Sequence, residues 1–250
     1  ILNKRMPPMQ VDPYIGHSDD ARYLDAEEMQ TLVHWIDVGA PQGDGDADPL
    51  EELANNIDLE AREEWYLGEP DFIVTGPSND VPPTGVLDYV YENVDLPFDE
   101  DKWIRAIQYR AGDPSVLHHL MTFVTEPEED FWGPERNDLS VSRRFVAGYA
   151  PGKSNVFEFT EGTGVFIPKG HGLSMQFHYV TNGQRTTDVT QIGLYFSKEE
   201  GLQEQLVQAV SSRFTLPPNA FNHEMHAEHV FDEEVVITGV RARMNYRGKK

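Results

Sequence analysis

The chain has 250 residues, with 20 Lys and Arg set against 43 Asp and Glu, a formal net charge of −23. That balance argues against nucleic-acid binding, since few cations are available to neutralise phosphates. It also disfavours anionic membrane surfaces and suits a soluble protein in a periplasmic or otherwise extracytoplasmic setting. There is no cysteine, so disulfides, thiolate metal sites and a CxxCH haem attachment are absent from these residues. Any metal must be held by His, Met or carboxylate, and nine His and seven Met bring softer metals such as copper into range. No apolar run approaches the ~18 residues of a membrane span. The text starts at Ile1 and stops at Lys250 directly after strand-like sequence, so a segment of something longer is expected.

Residues 1–47 hold one helical pattern, "LDAEEMQTLVHWIDVGAP". Asp25 is placed to cap it, with Glu28 three positions on as in a capping box. Leu24, Met29, Leu32, Val33 and Ile36 fall near helical spacing, and Gly39 and Pro41 end the run. Residues 48–70 read as an acidic linker with room for one short helix. After Pro70 the texture changes to short strands separated by Gly, Pro and Asn turns. "DFIVTG", "VLDYVYENVDL", "KWIRAIQYRA", "VLHHLMTFV", "FVAGYAPG", "GVFIPKG", "LSMQFHYVTNG", "QIGLYFSK", "SSRFTLPP" and "EVVITGVRARMNY" follow one another. Many short strands of this kind predict a mainly β protein built as a sandwich. The acidic runs "EPEED" and "SKEEG" read as solvated loops, and Trp65 and Trp103 as packing residues.

Two stretches carry chemistry. "SVLHHLMTFV" reads as a strand, and successive strand residues face opposite ways. His118 and His119 should therefore point apart. Either one faces solvent and the other is hydrogen-bonded inside, or the strand is distorted and both rings reach one metal ion. In "GHGLSMQFHYVTNG", Leu173, Met175, Phe177 and Tyr179 alternate onto a core face, while Ser174, Gln176 and His178 share the other. Asn182-Gly183 is a hairpin signal. His171, between two glycines, reads as a surface residue rather than a further ligand.

In order, "VLHHLMTF", "FVAGYAPG", "IPKGHGLSMQFHYVTNG" and "IGLYF" resemble the copper type II, ascorbate-dependent monooxygenases, the peptidylglycine- and dopamine-hydroxylating group and its bacterial relatives. The resemblance spans about residues 70–250. It implies two jelly-roll-like β-sandwiches, here residues 71–199 and an incomplete second one over 200–250, each with a copper site. Carried over, the ligands of the first copper are His118, His119 and His178, and three neutral imidazoles are a sensible copper set.

The family's second, catalytic copper takes a His-x-His ahead of an Arg-Gly-Lys, because residues i and i+2 of a strand face the same way. In "ARMNYRGK", Arg243 and Asn245 stand at those two positions. A guanidinium has no lone pair to offer, so that site is expected to be degenerate. His223, His226 and His229 in "NHEMHAEH" are the candidates for a rebuilt site, although a three-residue spacing alternates faces on a strand. The N-terminal piece, "RMPPM" and then "LVHWIDVGAPQGD", resembles the second half of a class I c-type cytochrome domain. That likeness implies Met6 as axial ligand of a haem c if the missing half precedes it.

The resemblance leaves two functions open. One is a degenerate relative that keeps the electron-transfer copper and serves as a redox or structural partner in a larger assembly. The other is an active copper monooxygenase that hydroxylates a C–H bond with dioxygen, fed by ascorbate or haem.

Overall fold

The computed structural model describes residues 24–41, 64–134, 138–151, 154–210 and 215–240. The chain divides into two compact units, residues 1–61 with 237–250, and residues 62–236.

In the first unit, helix α1 spans Ala26–Asp37. Asp25 caps it: its carboxylate accepts from the backbone N–H groups of Glu27 and Glu28, and Glu28 accepts from the Asp25 N–H. Gly39, at φ +94°, takes the left-handed turn that closes the helix. None of its residues is buried.

The second unit is mainly β. Its strands are β1 (Phe72–Thr75), β2 (Asn79–Val81), β3 (Val90–Asp95), β4 (Lys102–Arg110), β5 (Leu117–Thr125), β6 (Phe145–Tyr149), β7 (Val156–Glu158), β8 (Thr163–Ile167), β9 (Gly172–Tyr179), β10 (Thr186–Asp188), β11 (Gln191–Phe196) and β12 (Gln203–Glu204). A short helix, α2 (Asp138–Arg143), precedes β6. One sheet runs β1-β11-β4-β8-β12, with β7 also on β4; a second runs β3-β9-β5-β6; β10 and β2 form a separate pair.

The two larger sheets share one apolar core. Ile104, Ile107 and Tyr109 of β4, Leu117 and Leu120 of β5, Leu173, Met175 and Phe177 of β9, and Ile192 and Leu194 of β11 are all buried in it. Burying such side chains stabilises by roughly 1.5–3 kcal/mol each. The Tyr109 hydroxyl meets the Thr122 hydroxyl at 2.6 Å, a polar link from β4 to β5 inside the core.

β4 shows how a strand can place Ile104 and Ile107, three apart, on one face. Opposite β11, Tyr195 pairs with Ala106 and Phe196 with Ile104, so Arg105 is an extra residue that shifts the alternation by one. Outside this sheet, residues 64–70 form a strap. The Gln108 amide donates to Glu64 O and accepts from Tyr66 N, and the Tyr195 hydroxyl donates to Gly68 O.

Three expectations change. Asn182-Gly183 does turn the chain, with Gly183 at φ +90°, but β10 pairs with β2 rather than β9. The turn is tied elsewhere, since Gly183 N donates to Pro83 O and Asn182 Nδ2 to Ser115 Oγ. The strands expected in "SSRFTLPP" and "EVVITGVRARMNY" do not form among described residues 215–240. Val230, Val236 and Val240 there are more than three-quarters exposed; a strand needs a laddered neighbour, and no described residue pairs with this stretch. In "EPEED", Glu129 is held rather than solvated: it accepts from Thr125 Oγ1, Glu126 N and Arg144.

Candidate metal centre

β5 and β9 pair regularly from Thr125↔Gly172 back to His119↔His178, and then Leu117 pairs with Tyr179. His118 is therefore an extra residue in β5, a β-bulge opposite His178. Leu117 and Leu120 explain it physically: both are buried, and three positions apart they would face opposite ways on a regular strand. The inserted residue lets both enter the core, and it turns His118 and His119 together to the outer face.

His178 reaches the same place by plain alternation. Leu173, Met175, Phe177 and Tyr179 are buried, whereas Gln176 and His178 stand half-buried on the outer side. Ser174 also faces outward, yet it is buried because Trp132 covers it and donates Nε1–H to its hydroxyl.

The three imidazoles converge. One ring nitrogen from each lies within 4.8 Å of the other two. Points so spaced share a centre about 2.8 Å from each, against an imidazole–metal bond of roughly 2.0 Å, so side-chain shifts of under about an ångström close the site. The ring centroids are 5.4 Å apart for His118 and His119, and 4.9 Å from each of these to His178. The His118 and His119 Nδ1 atoms are 3.1 Å apart. His178 Nδ1 is buried with no hydrogen-bond partner. An unsatisfied buried nitrogen costs about 1–3 kcal/mol. Burial, and then the positive charge His118 can carry, push the His178 pKa down, which keeps the ring neutral and its lone pair free. These three residues can hold a metal ion, and their all-imidazole set suits late first-row metals.

Tyr89, just before β3, completes the wall. Its ring stacks on His178 at 4.8 Å and 26°, and lies 5.7 Å from His119. Tyr91 and Trp132 continue the aromatic row, 4.5 Å apart. The sequence reading missed Tyr89; its signal was the i, i+2 spacing of the two tyrosines in "LDYVYENVDL".

The other candidates stand apart. His171 is half-buried, and its Nδ1 also lacks a partner, but it is outside the histidine group. His223, His226 and His229 are exposed, in a stretch without strand; His226 faces Glu224 at 3.2 Å, and among the described residues the three do not form a ligand group. Met6, Arg243 and Asn245 lie outside the described residues. No known protein-family profile and no curated protein matches the chain.

Proposed function

We propose that this chain is a copper redox protein related to the copper type II monooxygenases, keeping the electron-transfer copper on His118, His119 and His178. The observation that carries it is the bulge, which brings adjacent strand histidines to one side and opposite His178. Among divalent first-row ions, copper binds a nitrogen set most tightly. Bound there, it supplies a one-electron couple. The chain's own residues do the rest. The bulge fixes two ligands in tandem, His178 stays neutral through burial, and Tyr89 shields one side of the site while His118 remains exposed.

Arg243 and Asn245 stand where the family's catalytic ligands would be, so the second copper and the hydroxylation reaction are absent from this reading. The protein then acts outside the cytoplasm as an electron carrier or partner in a larger assembly, with a haem on Met6 where an upstream half-domain supplies the attachment. Metal analysis after copper reconstitution, paired with an ascorbate-dependent oxygen-uptake assay, tests it. We expect one copper per chain and no substrate-stimulated uptake. Two coppers with stimulated uptake would establish the monooxygenase instead.

A further inference from the structure

We propose that the exposed face around His118 docks a separate, basic, one-electron donor protein; this rests on the copper reading above. His118 is the exposed member of the histidine group. Around it, one end of the sandwich carries an apolar collar. Val86 is fully exposed, and Tyr89, Tyr91 and Val180 are 39 %, 40 % and 39 % exposed.

Backbone ties hold the collar to the site. Val180 N donates to Val116 O, one residue before the bulged strand begins. Thr181 Oγ1 donates to Gly85 O, next to Val86, and Gly183 N donates to Pro83 O. The segment from Pro83 to Tyr89 therefore runs from the 180–183 turn to the imidazoles, where Tyr89 stacks on His178. Scattered exposed apolar residues are ordinary, whereas a group of them around an exposed ligand is the form of a contact surface.

Charge selects the partner. Asp88, exposed, directly precedes Tyr89 in the chain, and Asp80 and Asp113 lie against β10, which follows the 180–183 turn: Asp80 accepts from Thr187 Oγ1, and Asp113 from Thr186 Oγ1. Arg185 is the cation of the same turn, and the whole chain carries −23. An acidic rim on an acidic protein attracts a cationic face and repels an anionic one, and the attraction weakens with salt. One electron passes from the reduced donor to cupric copper, leaving cuprous copper and the donor oxidised by one electron, with no bond or proton transferred.

Asp80→Lys with Asp88→Lys changes the local charge by +4. Glu199→Lys with Glu200→Lys makes the same change beyond the far end of β11, whose six residues span about 20 Å, twice the ~10 Å screening length at 0.1 M salt. In the copper-loaded protein we expect the first pair to slow reduction by hexaammineruthenium(II), a dication, about fivefold and to speed reduction by hexacyanoferrate(II), whose charge of 4− is twice as large, by roughly twentyfold. The distant pair should change either rate by less than about 1.5-fold. Val86→Ser with Val180→Ser should lower the rate with a reduced basic cytochrome c about tenfold and leave the ruthenium rate alone. The metal-free protein should bind the oxidised cytochrome with the same dependence on these four side chains, read by calorimetry. Equal effects of the two charge pairs, or a cytochrome indifferent to the valines, would overturn the docking surface. Bound copper that neither small reagent reduces would overturn the redox reading, and the docking role with it.

Discussion

His178 carries two opposite demands, since it is packed under Tyr89 yet leaves Nδ1 without a partner. Its lowered pKa makes a stability statement. Below about pH 6.5 the unfolded chain takes up a proton on this residue that the fold resists, so stability is full above that pH and falls as pH drops towards the folded value. We expect metal-free protein to lose unfolding free energy between pH 7.5 and 5.5, and His178→Gln to lose less over the same interval, both followed by urea denaturation. Equal slopes would remove His178 from the account. Asp188 makes the opposite kind of prediction. It is fully buried and accepts from Asp113 N, the Tyr179 hydroxyl and the Thr190 hydroxyl at 2.7–2.8 Å. Burial, and then the Asp188 charge, push the Tyr179 hydroxyl far up, so it remains a donor. Asp188→Ala strands three donors and should cost about 3–5 kcal/mol; a loss below about 1 kcal/mol would mean water replaces the carboxylate. The alternation that put His178 off the core face was readable in "LSMQFHY" because every second residue is large and apolar. Asp188 was not readable, since its role depends on partners up to 75 positions away.

At the scale of elements the bulge in β5 is the decisive feature. The pair Leu117 and Leu120 contains the clue, because two core leucines three apart cannot share a face of a regular strand. From sequence alone, however, either leucine could have been the outward one, so the distortion stayed one of two alternatives. Deleting His118 leaves Leu117, His119 and Leu120 in strict alternation, opposite Tyr179, His178 and Phe177. We expect that deletion variant to fold, with near-native circular dichroism, and to bind no copper, whereas His118→Ala keeps the bulge and weakens binding. A deletion variant that unfolds would show the bulge to be structural. The strap over the first sheet offers a second test. A methyl group on Gly193 would come within 2.7 Å of Pro70 and of the Trp65 ring. Gly193→Ala should therefore lift residues 64–70, cost about 1–3 kcal/mol and speed proteolysis there; unchanged cleavage would contradict the strap's packing. The longer strands were legible because alternation has room to repeat. β2, β7 and β10 were not, since three residues show no period.

For the whole molecule, the sandwich, whose strands lie between Phe72 and Glu204, rests on a continuous apolar core, while the chain's net charge of −23 works against compaction. Raising salt from 0.05 to 0.5 M should therefore raise the melting temperature, and a fall would place attractive ion pairs above the repulsion. Mainly β character was legible from composition and turn spacing. The apolar text of "EVVITGV" was misleading, because β propensity becomes a strand only where a neighbour accepts its hydrogen bonds. The candidate histidine group was legible as three residues, but the shape that joins them required the pairing of β5 with β9. In the proposed function one copper is held by these three imidazoles. X-ray absorption on the copper-reconstituted chain reads it directly. We predict three imidazole nitrogens at about 2 Å, falling to two or to no bound copper in His178→Ala. Copper bound with fewer imidazoles, or bound identically after His178→Ala, would contradict it.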